Sequence, residues 1–148
     1  MEKDLNYKSY SGAEADWNLI KKVVEMRDSL SPKTKIIGNG DVKSLSQAQK
    51  YMGKYGVDGV MIGREVLKNP WIFSNYKPSK KERVEALYYH MEQMEEFTRK
   101  FPDKNWQSIK KFYYGYLRED EELVSLRKEL FQINNLEESK KILKTLHI

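Results

Sequence analysis

Apolar residues fall at helical spacing from residue 16 to about residue 30. Leu19, Ile20, Val23, Val24 and Met26 share a side, and Asp16 stands where it would cap the first turn. Ser31-Pro32 breaks the pattern. Residues 35–38 then read as a short strand whose isoleucines suit a sheet covered on both faces. Asp41 or Ser44 is placed to cap a second helix over 45–55, with Leu45, Ala48, Met52 and Tyr55 on its apolar side and Gly56 as its stop. A second strand spans 59–63, one helical turn follows over 64–67, and Asn69-Pro70-Trp71-Ile72-Phe73 reads as an apolar closing turn.

From residue 77 the strand-like runs vanish and the periodicity is purely helical, which places a domain boundary near 76–78. Ser79-Lys80-Lys81-Glu82 has the capping-box pattern, and Val84, Leu87, Tyr88, Met91, Met94 and Phe97 continue an apolar stripe behind it. Trp106, Ile109, Phe112, Tyr113, Tyr116 and Leu117 stripe a second helix, Leu123, Leu126, Leu130 and Ile133 a third, and Leu136, Ile142, Leu143 and Leu146 a fourth. Short connections predict antiparallel neighbours in a small bundle. The fold class is therefore α/β followed by all-α, with residues 1–76 as the α/β part and 77–148 as the bundle.

Composition narrows the chemistry. The 148 residues carry 27 Lys and Arg against 22 Asp and Glu, a net charge of +5 that permits a polyanionic partner without requiring one. Cysteine is absent, which excludes disulfides, thiolate metal sites and thiol catalysis within this chain. No apolar run approaches the roughly 18 residues of a membrane span, and Met1-Glu2-Lys3-Asp4 is not a signal peptide, so a cytoplasmic location with no membrane association is expected. His90 and His147 fit no metal-ligand pattern, and no metal site is expected.

The most informative segments are Ile36-Ile37-Gly38-Asn39-Gly40-Asp41 and Gly59-Val60-Met61-Ile62-Gly63-Arg64. Each reads as a buried strand ending in a backbone-exposing turn that enters a helix, and their separation suits one strand-helix unit of a parallel α/β protein. Peptide N–H groups at such a turn, reinforced by the helix dipole, form an anion site, and two side by side make a phosphate cradle. The competing reading is that Gly38, Gly40, Gly59 and Gly63 merely serve tight turns and strand-helix packing.

Four blocks in order carry a likeness: Tyr10-Ser11-Gly12 with Ala15-Asp16-Trp17, Ile37-Gly38-Asn39-Gly40-Asp41-Val42, Val57 through Arg64, and Asn69-Pro70-Trp71-Ile72-Phe73. Together they resemble the tRNA-dihydrouridine synthase family. The resemblance implies an FMN-bearing TIM-type (β/α)8 barrel, of which this chain holds about two strand-helix units, followed by a helical tRNA-binding domain. It implies reduction of tRNA uridine to dihydrouridine, with NADPH reloading the flavin. Asn39, Gly40 and Asp41 then fall on the turn after the seventh strand and Gly63 and Arg64 after the eighth, at the FMN phosphate. The physics is compatible, since glycine lets backbone approach phosphate closely and a guanidinium adds a charge-assisted contact.

The departures matter equally. The family's general acid is a cysteine, and its flavin-contacting Lys and His and a His-Arg-Thr type turn lie upstream; Lys3 to Ser9 lacks that turn. No catalytic residue is nominated, and the chain alone is expected to be catalytically silent. For RNA, the resemblance directs attention to Lys104, Lys110, Lys111 and Arg118. Lys110 and Lys111 sit where the family has a basic pair, and Lys111 and Arg118 are seven apart, on one face of an α-helix. The alternative is an ordinary solvated face. Tyr114 is the aromatic outside the core stripe and a candidate for base stacking. Three readings compete: the C-terminal portion of a synthase needing a chain that supplies the N-terminal barrel strands, a non-catalytic RNA-binding module with a remnant barrel, and a different flavin or sugar-phosphate protein assembled by self-association.

Overall fold

The computed structural model describes residues 14–74 and 76–146, so Tyr10-Ser11-Gly12, the segment before it and His147 lie outside the described residues. Two compact units divide the chain, the first ending at Gly63 and the second beginning at Arg64. That division precedes the 76–78 boundary read from the sequence, because the turn of helix after Gly63 packs into the helical unit. A Cβ at Gly115 would lie 2.5 Å from the Leu67 carbonyl oxygen, so the two backbones touch.

In the first unit, α1 (Trp17–Leu30) starts at Asp16, whose side chain accepts from the Asn18 N–H. Strand β1 (Ile37–Asn39) leads through α2 (Leu45–Tyr55) to β2 (Gly59–Met61), and the two strands pair in parallel with Ile37 opposite Gly59 and Asn39 opposite Met61. Ser44, not Asp41, caps α2, and Gly56 ends it in the left-handed region at φ 72°. Both strands are shorter than expected, and among the described residues their side chains are not covered on both faces. Gly38 is buried against Trp17 while Ile37 and Met61 stand in the open. Trp17 anchors the unit, its ring centroid 4.4 Å from Tyr51 and 5.4 Å from Tyr55. At the opposite end of α1, Arg27 donates to Asp58 at 2.6 Å and to the Thr34 carbonyl at 2.9 Å. Lys35, the Ile36 N–H and Arg27 together hold the Asp58 carboxyl far below the usual carboxylate range.

The second unit begins with α3 (Arg64–Lys68) and runs through α4 (Lys80–Lys100), a 3-10 helix (Trp106–Phe112), α5 (Tyr113–Tyr116), α6 (Glu121–Gln132) and α7 (Leu136–Thr145). Ser79 and Glu82 form the full capping box. Asp120 and Asn135 cap α6 and α7. The core gathers Leu87 and Met91 of α4, Ile109, Tyr113 and Leu117, then Leu123 and Leu130 of α6, all fully buried. Lys140 on α7 bridges Glu95 on α4 at 3.0 Å and Glu137 at 2.8 Å, which satisfies a buried ammonium and raises its pKa.

Candidate cofactor-phosphate and RNA sites

Because β1 and β2 are parallel and in register, the turns that follow them leave the sheet at the same end. The backbone is unusual at the first turn, with Gly40 at φ 139° and Asp41 at φ 50°. Residues just before α1 fasten it. Trp17 Nε1 donates to the Gly40 carbonyl at 2.9 Å, and the Ala15 N–H donates to the Asp41 carboxylate at 2.7 Å. Ala15 and Trp17 are thus positioning residues that sequence reasoning did not single out for the turn, although both belong to the first of the four blocks.

Glycine has different reasons at the two turns. At Gly40 a Cβ would meet the Ala15 Cβ at 2.3 Å, so packing and φ together demand glycine there. At Gly63 none of the described residues lies within 4 Å of the Cβ position, and the residue is exposed. Packing among the described residues therefore explains Gly40 without a ligand and leaves the Cβ side of Gly63 open. Asn39 is exposed at the end of β1, and Arg64, the residue after Gly63, is exposed at the start of α3.

The basic candidates of the second unit separate in the same way. Lys110 is committed to structure, donating to the Phe131 carbonyl at 3.0 Å with its ammonium over the Trp106 ring. Lys104 pairs with Asp103 at 2.7 Å in the turn after α4. Lys111 and Tyr114 are exposed, the first over the Phe112 ring and the second beneath the Arg127 guanidinium at 4.5 Å. The expected α-helical face joining Lys111 and Arg118 does not form, because Trp106–Phe112 winds as a 3-10 helix and Arg118 lies beyond the end of α5. Next to these, His90 Nδ1 is 3.2 Å from the Tyr116 hydroxyl, and burial followed by the Lys111 charge lowers its pKa. Among the described residues no cluster of His, Asp and Glu could hold a metal, and no helix is long and apolar enough to cross a membrane.

These paired turns, followed by a helical unit, are matched by a family model described as dihydrouridine synthase over residues 6–147. The chain belongs to the dihydrouridine synthase family. A Staphylococcus epidermidis protein described as "Probable tRNA-dihydrouridine synthase" is 30% identical over 140 residues, covering 93% of this chain and 43% of its own length. A Staphylococcus aureus protein of the same description is 30% identical over 139 residues, covering 92% of this chain and 42% of its own. "Probable tRNA-dihydrouridine synthase 2" of Bacillus subtilis is 29% identical over 135 residues, covering 90% and 41% respectively. The chain thus spans well under half the length of these dihydrouridine synthase relatives, which leaves the larger part of the family fold without a counterpart in its 148 residues.

Proposed function

We propose that this chain serves as the C-terminal portion of a flavin-dependent tRNA-dihydrouridine synthase. In this reading the turns at Asn39, Gly40, Asp41 and Gly63, with Arg64 next in sequence, receive the FMN phosphate, and the helical unit grips tRNA. The bound flavin would supply the reducing equivalents for uridine, with NADPH as their source. The observation that carries the reading is Gly63. Packing among the described residues gives no reason to require glycine there, whereas a phosphate seated on the backbone does. The role of Gly40 and Asp41 is to hold the neighbouring turn rigid through Trp17 and Ala15.

Catalysis requires a proton donor within hydrogen-bond reach of the reacting base. With no cysteine in residues 1–148, a donor of the family's kind must come from elsewhere, together with the remaining barrel strands. The first unit supports such a complement. Leu19, Val23, Met26 and Leu30 on α1, with Ile37 and Met61 on the sheet, are large apolar side chains left in solvent.

The test is a titration of the chain with FMN, alone and with a polypeptide covering the missing barrel of a family member. Flavin uptake is expected only in the mixture, and Gly63→Asp is expected to abolish it while leaving the melting temperature unchanged. No uptake in the mixture, or uptake indifferent to Gly63→Asp, would sink the reading. The self-contained core of the second unit favours one alternative, a non-catalytic RNA-binding module. That alternative predicts steeply salt-dependent tRNA binding with no flavin uptake in any mixture.

A further inference from the structure

A cavity of about 210 Å³ opens in the second unit beside the segment leading into α4, lined by Trp71, Lys77, Arg83, Gly115, Arg118 and Glu119 among others. At roughly 30 Å³ per water, it has room for several waters or a phosphate ester. Its walls hold three cationic side chains against one carboxylate. Two of the cations are poorly satisfied: Arg83 is only 9% exposed, and the buried Nε–H groups of Arg83 and Arg118 have no hydrogen-bond partner among the described residues. Buried guanidinium N–H groups are nearly always paired, so two such donors at one cavity mark a site made for an acceptor.

What occupies the middle is Glu119. One of its carboxylate oxygens lies 3.3 Å from Arg83 Nη1 and the other 3.3 Å from Arg118 Nε, the latter within ion-pair distance but outside hydrogen-bonding geometry. Its backbone sits at φ 68°, in the left-handed region that non-glycine residues seldom adopt, and its side chain remains about half exposed. A strained, half-solvated carboxylate making long contacts to two guanidinium groups is a weak substitute for an anion with more oxygens.

We infer that this cavity is a phosphate-binding site in which Arg83 and Arg118 are the donors, Lys77 adds charge at the rim, and Glu119 is a resident anion that phosphate displaces. Arg83 is fixed by its burial on α4, and Gly115 admits the close backbone approach that shapes the wall, since a Cβ there would strike the Leu67 carbonyl. The phosphate is either free or part of an RNA backbone. Only the RNA source rests on the tRNA reading above.

The experiment is calorimetric titration of the full chain with inorganic phosphate at low ionic strength, with chloride as control. Phosphate is expected to bind at least tenfold more tightly than chloride. Arg83→Gln and Arg118→Gln should each weaken it about tenfold, and Glu119→Gln should strengthen it several-fold. Glu119→Gly supplies the fold-safe check, since glycine suits the φ at that position while removing the same carboxylate. Equal binding of phosphate and chloride, or weaker phosphate binding in both Glu119 variants, would overturn the site. A second arm measures tRNA affinity against salt. If Arg118→Gln reduces the salt slope by about one, the phosphate is that of RNA. If the slope holds while inorganic phosphate binding falls, the site stands and its ligand is a small phosphate compound.

Discussion

At the residue scale, the two glycine turns teach how one motif can hide two different causes. Gly40 is required by φ 139° and by a Cβ clash at 2.3 Å with Ala15. Gly40→Ala is therefore expected to cost about 1–3 kcal/mol from overpacking, with backbone strain in addition. Gly53, inside α2 with none of the described residues outside its own helix within 4 Å of its Cβ position, gives the opposite sign. Gly53→Ala should stabilise by about 0.5–1 kcal/mol, the helix-propensity difference. Paired thermal melts of the two variants check both, and equal destabilisation would show that the environment of Gly40 plays no part. The glycines themselves were legible in the sequence. Which of them packing needs was not, because Ala15 and Gly40 meet only after α1 folds back over β1.

At the element scale, caps and stops read well because they are local. Asp16, Ser44 and Ser79 each bond an N–H two or three residues ahead, and such contacts are written in consecutive letters. The segment 106–117 is where reading by periodicity failed. Trp106, Ile109 and Phe112 recur at intervals of three, which suits an α-helical stripe but is also the repeat of a 3-10 helix. The aromatic and glycine content of Phe112-Tyr113-Tyr114-Gly115-Tyr116 is poor in strong helix formers, a hint that tertiary packing would decide its winding. The capping box supplies a pH prediction. Hydrogen bonds from the Tyr76 hydroxyl, then the Ser79 side chain and backbone, lower the Glu82 pKa from 4.5 to about 2. A carboxyl depressed in the folded state stabilises fully above its unfolded pKa and loses that contribution as pH falls through the folded one. The stability gap between wild type and Glu82→Gln should thus be constant above pH 4.5 and shrink towards pH 2, as followed by urea denaturation across that range. A gap independent of pH would show that the carboxylate's charge is not what the cap uses.

At the scale of the whole molecule, amphipathicity told which residues of α1 are apolar but not whether anything covers them. Trp17 and Val24 are buried, while Leu19, Val23, Met26 and Leu30 are between 49% and 78% exposed. The expected coverage of both sheet faces fails at Ile37 and Met61, because within the described part of the first unit α1 and α2 are the helices that accompany the two strands. Replacing Leu19 and Met26 by Glu should leave the melting temperature within about 1 °C, since neither side chain contributes much buried area. Sedimentation should show less self-association of that variant, or loss of binding to a barrel-completing chain. A large drop in melting temperature would mean that these side chains are buried in the chain's own fold. The ion pairs that link distant segments, such as Arg83 with Glu119 and Lys140 with Glu95, were not legible either, because nothing local marks partners more than thirty positions apart.

The bond from the Trp17 indole to the Gly40 carbonyl has a practical corollary. An indole whose N–H is engaged with the very loop assigned to ligand capture is a built-in optical gauge of that loop. With Trp71 and Trp106 replaced by Phe, the emission of the one remaining tryptophan, excited selectively at the red edge of its absorption where tyrosine does not absorb, would register any distortion of the strand-end peptide, with no label attached.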